Sequence, residues 1–247
     1  MSSAEESNIE LSFCKNADEV DVEKTDGIIA VGRFLSAELE KMKQLGIQVL
    51  FVDSNPDPHE FNSIQPNLQM MVETAIEYFV QAGYQKIGFI GGRSWDSTEG
   101  RHVLRDTRTR CFESRARELG LFNQNHVFIG DNFSVDSGYQ VGREIVGKIR
   151  DDLPQAFLVA SDPLAVGVLQ AFNENKLTVP EDVSMISIND IDIAKYVSPP
   201  LTTFRIDTEE LGKVAIETLR NLIVSPKKSK RMILLDADLV FRKSFVI

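Results

Sequence analysis

Polar side chains follow several apolar runs of this 247-residue sequence, each where a buried strand is predicted to end. The run Val179–Asp207 is the most informative, because its apolar strand ends in Asn189 and Asp190 and is followed by Pro199 and Pro200. In open parallel sheets, ligands bind beyond the carboxyl ends of the strands. We therefore expect a ligand site lined by the residues at the strand ends, which are Arg33, Asp53 with Asn55, Arg93 with Trp95, Asp131 with Phe133, Ser161 with Asp162, and Asn189 with Asp190.

The chemistry of this set suits a neutral polyhydroxylated ligand such as a sugar. Carboxylates and amides accept from hydroxyl groups, a guanidinium donates through its fork, and an aromatic ring covers an apolar sugar face. Single members also have local explanations: Asp162 before Pro163 is typical of a helix N-cap, Asp53 of a turn, and Phe133 of a packing residue. Trp95 fits a ligand platform and a loop anchor equally well. The combination favours a saccharide more than any single residue does.

Strands and helices alternate along the chain, which predicts a doubly wound α/β fold. Apolar runs rich in Ile, Val and Phe predict six parallel strands, over Gly27–Val31, Ile47–Val52, Lys86–Ile90, His126–Ile129, Ala156–Ala160 and Val183–Ile188. Helical patterns cover Ser36–Leu45, Leu68–Ala82, Thr107–Leu119, Pro163–Asn175 and Thr208–Val224. Short strands are predicted at Met232–Leu235 and Leu239–Phe241.

The composition argues against several classes of protein. With 37 acidic and 27 basic residues the net charge is −10, so this chain alone should bind nucleic acid poorly. Cys14 and Cys111 are the only cysteines and have no metal-ligand neighbours, which predicts a cytoplasmic protein without zinc. The start has no signal-peptide pattern, and no window is apolar enough for a membrane span. No catalytic motif is present, and GGRSWDS matches no phosphate-binding loop, so we expect neither an enzyme nor a cofactor.

Several segments together resemble the effector-binding core of the LacI/GalR family of bacterial transcription regulators, and its galactose-repressor branch in particular. These segments are TDGIIAVG, GYQKIGFIGG, DTRTRCFESRARELGL, SDPLAVGVLQAFNENKLTVPEDVSMISIND, SPPLTTF and LVFRKS. The similarity runs from about Asp26 to the C-terminus. It implies a periplasmic-binding-protein-like fold of type I, in which three crossing segments join two doubly wound parallel-sheet lobes.

The resemblance also implies a division of the chain into lobes. The crossing segments would fall near Asn62–Asn67, Leu201–Phe204 and Lys230–Leu234. Residues 1–65 and 205–230 would then form the N-terminal lobe, and residues 66–204 and 231–247 the C-terminal lobe. We expect this sequence to lack the family's helix-turn-helix and the first strand and helix of the N-terminal lobe.

Site residues follow from the same resemblance. The family's effector arginine falls on Arg108, four residues before Phe112, although in isolation a solvated basic helix face explains this arginine. The effector carboxylate falls on Asn189, where many members carry Asp, so the recognised hydroxyl pattern is expected to differ. Other effector positions match Ser161, Asp162, Phe133 and Asp53.

The resulting hypothesis is a sugar-sensing module of a repressor. A galactoside or similar small saccharide would bind in the cleft between the lobes of a homodimer and control operator binding through an N-terminal head outside this sequence. One alternative is the solute-binding receptor of a sugar transporter, which shares the fold but needs a signal sequence or a lipid-anchored cysteine. Another is an α/β enzyme acting on a sugar or sugar phosphate, which would require a metal or nucleotide site that the strand ends do not supply.

Overall fold

The computed structural model describes residues 9–96, 101–103, 106–227 and 229–246, with the backbone alone at 94–96 and 101–103. The strands are β1 (Gly27–Val31), β2 (Gln48–Val52), β3 (Asn62–Pro66), β4 (Ile87–Gly92), β5 (Ser94–Asp96), β6 (Arg101–Val103), β7 (Val127–Gly130), β8 (Ala156–Val159), β9 (Ser184–Asn189), β10 (Thr202–Arg205), β11 (Met232–Leu235) and β12 (Asp238–Val240). The helices are α1 (Ser36–Gln44), α2 (Leu68–Gln81), α3 (Thr107–Glu118), α4 (Val135–Ile149), α5 (Asp162–Glu174) and α6 (Thr208–Val224). Within the described residues, no helix is both long and apolar enough to cross a membrane.

The chain divides into two compact units. The first unit comprises Met1–Pro66, Trp95–Arg101 and Asp207–Leu235, and the second comprises Asn67–Ser94, His102–Ile206 and Asp236–Ile247. Three of these boundaries, after Pro66, Ile206 and Leu235, lie one, two and five residues beyond the lobe ends that the sequence analysis gives. The two boundaries of the segment Trp95–Arg101 have no counterpart there.

The first unit is built on a four-stranded parallel sheet in the order β1-β2-β3-β11. Phe51 lies at the centre of its core, with ring centroids 4.7 Å from Phe61 and 5.7 Å from Phe34. Strand β11 pairs with β3, with Ile233 opposite Ile64. Strand β11 thus completes the sheet of the first unit, whereas the sequence analysis places these residues in the C-terminal lobe.

The second unit is built on a six-stranded sheet in the order β12-β10-β9-β8-β4-β7. Five strands run parallel, and the edge strand β12 runs antiparallel to β10. Helices α2, α3, α4 and α5 each contribute buried residues to one core around Phe89 and Phe157. Residues 202–205 form a full strand of this sheet, so the predicted crossing near Leu201–Phe204 lies further along, between Ile206 and Asp207.

Most predicted elements of the fold are confirmed. All six predicted parallel strands and all five predicted helices are present, with ends that differ by no more than two residues. Helix α4 was not predicted, because Gly138, Gly142 and Gly147 lower its intrinsic helix propensity. Two of these glycines allow α4 to approach α5 closely: a Cβ atom at Gly138 would collide with the Leu164 carbonyl, and one at Gly142 would lie 2.7 Å from the Ala171 Cβ atom.

Candidate functional site

Four neighbouring strands of the second unit end in polar residues at one edge of the sheet. Because β9, β8, β4 and β7 are adjacent and parallel, their carboxyl ends emerge side by side. Strand β9 ends at Asn189 and is followed by Asp190. Strands β8, β4 and β7 are followed by Ser161, Arg93 and Asp131 respectively. The structure therefore brings together the second-unit residues that the sequence predicts at strand ends.

Arg108 reaches this edge from the first turn of α3. Asp106 caps that helix by accepting a hydrogen bond from the Thr109 backbone N–H at 3.2 Å. The Arg108 guanidinium folds back onto the same carboxylate, with Nε at 2.9 Å and Nη2 at 2.5 Å from Asp106 Oδ2. Its Nη1 donates to the carbonyl oxygen of Ala160, at the end of β8, at 2.7 Å. The Arg108 side chain is 12% exposed and is held in one orientation by partners on two elements.

Phe133 lies beneath this guanidinium, with the Arg108 Cζ atom 4.4 Å from the centre of the ring. The ring is partly buried and also packs against the main core of the unit. A cation over an aromatic face at this distance is attracted by the ring quadrupole. Phe133 is thus both a packing residue, as its local pattern indicates, and a support for Arg108.

Ser161 lies two residues after the end of β8 and is 3% exposed. Its hydroxyl oxygen is buried and has no hydrogen-bond partner within the described part of the chain. It also does not cap helix α5, although it occupies the N-cap position. A buried unpaired hydroxyl costs about 1–3 kcal/mol, so this hydroxyl is a candidate for pairing with a ligand.

Asp162 is completely buried, and its carboxylate already has three donors. Oδ1 accepts from the hydroxyls of Ser187 and, at 2.7 Å, Thr203, while Oδ2 accepts from the Ile191 backbone N–H at 2.9 Å. Burial raises the pKa of the Asp162 carboxyl above its ordinary value, against the opposing effect of these hydrogen bonds. The Asp162 carboxylate therefore supports the loop after β9, and its contact with an effector stays a prediction.

Asn189 ends β9 with a positive φ of 124° and is partly exposed. Among the described residues, its carboxamide makes no hydrogen bond, while its backbone carbonyl accepts from the Ile206 N–H at 3.4 Å. Its oxygen and its NH₂ group can therefore serve as one acceptor and two donors for a ligand.

Arg93 and Asp131 form an ion pair at the ends of β4 and β7, with Nη1 and Oδ1 3.1 Å apart. The two strand ends approach closely here, since a Cβ atom at Gly92 would collide with the Asn132 carbonyl. This packing explains Gly92 without a phosphate, and a Cβ atom at Gly91 would lie 2.7 Å from the Phe89 ring. Both charged side chains are exposed, so the pair adds little stability.

Two further predicted site residues, Asp53 and Trp95, belong to the first unit. Asp53 follows β2 with φ of 62° and donates its backbone N–H to the Ile64 carbonyl at 3.0 Å. The backbone of Trp95 forms part of β5, and its side chain lies outside the described residues. Both remain predicted contacts.

Comparison with known proteins gives a consistent family. Residues 76–245 match the family described as "Periplasmic binding protein-like domain". The HTH-type transcriptional regulator GanR of Bacillus subtilis is 38% identical over 96% of this chain and 72% of its own length. The HTH-type transcriptional regulator LacR of Lactobacillus helveticus is 41% identical over 89% of this chain and 65% of its own length. The chain thus spans about two thirds of the length of these relatives.

Solved structures with the same fold include two that hold a saccharide. The transcriptional regulator CelR in complex with cellobiose has a TM-score of 0.76 and 22% identity, over 90% of this chain and 67% of that one. A LacI family regulator from Enterococcus faecium with bound ribose has a TM-score of 0.78 and 21% identity, over 98% and 90%. At these identities the likeness concerns the fold.

Proposed function

Because this chain belongs to the LacI/GalR family of transcriptional regulators, we propose that it is the sugar-sensing, effector-binding part of such a regulator. Its effector would be a small saccharide of the galactoside type, bound at the carboxyl edge of the second unit's sheet. A helix-turn-helix head, as the names of the relatives indicate, would bind the operator, and the regulator would act as a homodimer.

The observation that carries this proposal is the Arg108 guanidinium, fixed on the Ala160 carbonyl, together with the unpaired hydroxyl of the next residue, Ser161. A guanidinium has five N–H groups. Asp106 and Ala160 accept from three of them: the Nε–H group, one N–H on Nη1 and one on Nη2. Nη1 and Nη2 each keep one N–H for which the described residues provide no acceptor. Ser161, next to Ala160, adds a hydroxyl, and Asn189 adds an amide. Together these groups offer fixed donors and acceptors to a ligand rich in hydroxyl groups.

The charges at this edge favour a neutral saccharide over a sugar phosphate. Arg108 is neutralised by Asp106, which is 5% exposed, and Arg93 by Asp131. Ser161 and Asn189 carry no charge. Because each guanidinium already has its own carboxylate, an anionic ligand would gain no excess positive potential to offset its loss of hydration. The cellobiose and ribose of the structural relatives are neutral saccharides as well, which supports this choice.

Regulation would follow from differential affinity. A saccharide can shift the regulator between an operator-binding and a released conformation only by the difference between its affinities for the two. In a dimer, that shift would alter the spacing of two DNA-binding heads on a two-fold symmetric operator. No group of the site needs to react with the sugar, and the curated relatives are regulators.

A thermal-shift panel tests the ligand class. Galactose, lactose, cellobiose, ribose and galactose 6-phosphate are each added to the chain, with glycerol at the same molarity as a control for general stabilisation by polyols. A ligand at 100 times its Kd stabilises the folded state by about 2.7 kcal/mol, which corresponds to roughly 5–10 °C for a chain of this size. We expect such a rise for one neutral sugar class, led by the galactosides.

Two outcomes of the panel would contradict the proposal. If every sugar raised the melting temperature only as much as glycerol does, the site would not bind a saccharide. If galactose 6-phosphate alone raised it, the neutral-ligand argument from paired charges at Arg108 and Arg93 would be wrong.

A further inference from the structure

The loop after β9 holds two consecutive non-glycine residues with positive φ angles, 124° at Asn189 and 55° at Asp190. Such backbone conformations favour glycine and persist in other residues only where surrounding contacts impose them. The contacts that impose this conformation therefore also determine where the Asn189 carboxamide points.

The Asp190 side chain supplies the strongest of these contacts. It is 2% exposed, and its two oxygens accept from different arginines: Arg205 Nε at 2.7 Å and Arg242 Nη2 at 2.5 Å. Arg205 is 55% exposed, whereas Arg242 is 14% exposed. Since water and salt screen an exposed charge more than a buried one, Arg242 is the partner that mainly stabilises the buried carboxylate.

Arg242 is itself fixed by strand β10. Its Nη1 donates to the Leu201 carbonyl at 2.8 Å, and its backbone N–H donates to the Thr202 hydroxyl at 2.9 Å. Two residues later, the Ser244 hydroxyl accepts from the Thr202 N–H at 2.8 Å and donates to the Met185 carbonyl at 2.7 Å. The segment Arg242–Ser244 thus connects β9 and β10 and holds the guanidinium in place.

Buried side chains hold the same loop from the other direction. The Thr203 hydroxyl accepts from the Asp190 N–H at 3.3 Å and donates to Asp162 at 2.7 Å. Asp162 also accepts the N–H of Ile191. The two peptide N–H groups that follow Asn189, and the side chain of Asp190, are therefore all anchored, while the Asn189 carboxamide itself has no partner among the described residues.

We propose that Arg242 and Asp190 are a positioning pair for effector binding. By fixing Asp190, Arg242 imposes the backbone conformation that directs the Asn189 carboxamide toward the saccharide, although Arg242 itself does not contact it. This inference rests on the proposed function in assigning Asn189 to the effector. It means that the C-terminal segment Arg242–Ser244 contributes to effector affinity through the β9 loop.

A double-mutant cycle tests the coupling. Arg242→Gln, Asn189→Ala and their combination are titrated by calorimetry with the sugar that gives the largest thermal shift. We expect Arg242→Gln to weaken binding about tenfold, within the range for coupled neighbours. In the Asn189→Ala background we expect it to add less than about twofold. Lys195→Gln is the matched control, because it also removes a cation from this loop. The ion-pair partner of Lys195, Asp192, lies on the surface.

Amide hydrogen exchange, measured residue by residue by NMR without ligand, decides the positioning role independently of any sugar. Arg242→Gln should speed exchange of the Asp190 and Ile191 amides and leave the amides of 184–188 unchanged. Arg242→Lys, which keeps the charge but cannot reach both Asp190 and Leu201, should restore protection in part. If Arg242→Gln does not fold, Asp190→Asn, which removes the buried charge, takes its place in both measurements.

The possible outcomes separate this inference from the proposed function. If the unmodified chain binds no saccharide, the proposed function is wrong, and the exchange data still decide whether Arg242 fixes the loop. If a saccharide binds but the losses from Arg242→Gln and Asn189→Ala add fully, or exchange at Asp190 and Ile191 is unchanged, the positioning pair is refuted while the effector site stands.

Discussion

Gly167→Ala is expected to destabilise the second unit by about 3 kcal/mol, as overpacking in a close-packed core does, and so to lower the melting temperature by roughly 6–12 °C. Gly167 lies on α5 where this helix meets α4. A Cβ atom there would lie 2.5 Å from the Tyr139 backbone nitrogen and closer still to the Val135 carbonyl oxygen. Backbone cannot rotate away as a side chain can, so the two helices would have to separate. This cost exceeds the gain in helix propensity, which is about 1 kcal/mol.

Gly147→Ala provides the matched control, because Gly147 is also an interior helix residue but a Cβ atom there would contact nothing within 4 Å. It should stabilise the protein by up to about 1 kcal/mol through propensity alone. Thermal unfolding followed by circular dichroism compares the two variants. A melting temperature for Gly167→Ala equal to or above that of Gly147→Ala would contradict the close approach of α4 and α5.

The glycines between α4 and α5 show which part of the fold cannot be predicted from the sequence. Strands and helices with apolar periodicity and clear caps, such as Thr208–Val224 with Asp207 accepting from the Glu210 N–H, are predictable because the signal is local. Helix α4 is not predictable in this way, because the close approach of α5 requires Gly138 and Gly142, and these glycines lower the helix propensity of α4. The pairing of β11 with β3 has no local signal either, since four residues carry no information about which of two sheets they will join.

The site shows the same limit at the level of side chains. Parallel strands bring their carboxyl ends to one edge, so Ser161 and Asn189 could be placed together from sequence. The burial of Asp162 could not be predicted from sequence, because its donors Ser187 and Thr203 come from two other strands. Arg108 required the family resemblance, as its local pattern is that of a basic surface. The role of Asp106 as a helix N-cap does have a local signal, since Asp directly before a helical pattern is typical of an N-cap.

The pairing of Asp190 with Arg242 had no sequence signal. The two residues are 52 positions apart, and opposite charges at that separation form pairs only when the fold brings them together. The same holds for the contact between Arg108 and the Ala160 carbonyl, also 52 positions apart. The residues proposed to contact the ligand are thus more predictable than those proposed to orient them, because strand ends are read from periodicity and tertiary partners are not.

Arg108→Ala is expected to reduce saccharide affinity by more than a hundredfold while the circular dichroism spectrum stays that of the folded chain. Two hydrogen bonds from a charged donor contribute about 1.5–3 kcal/mol each, and every 1.4 kcal/mol, roughly, is a tenfold change in Kd. The fold should persist, because the Asp106 carboxylate still accepts from the Thr109 N–H and so still caps α3. Calorimetric titration of the variant with the sugar identified by the thermal-shift panel measures the loss.

Two further variants separate the loss of geometry from the loss of charge. Arg110→Ala removes an exposed arginine from the same helix, and this variant should bind as the unmodified chain does. The Arg110 side chain donates to the Thr107 hydroxyl at 3.4 Å. Arg108→Lys keeps the positive charge, but an ammonium cannot hold Asp106 and the Ala160 carbonyl and still present two parallel N–H groups, so we expect it to bind nearly as weakly as Arg108→Ala. Full affinity in the lysine variant would mean that charge alone suffices, and unchanged affinity in Arg108→Ala would remove Arg108 from the effector site.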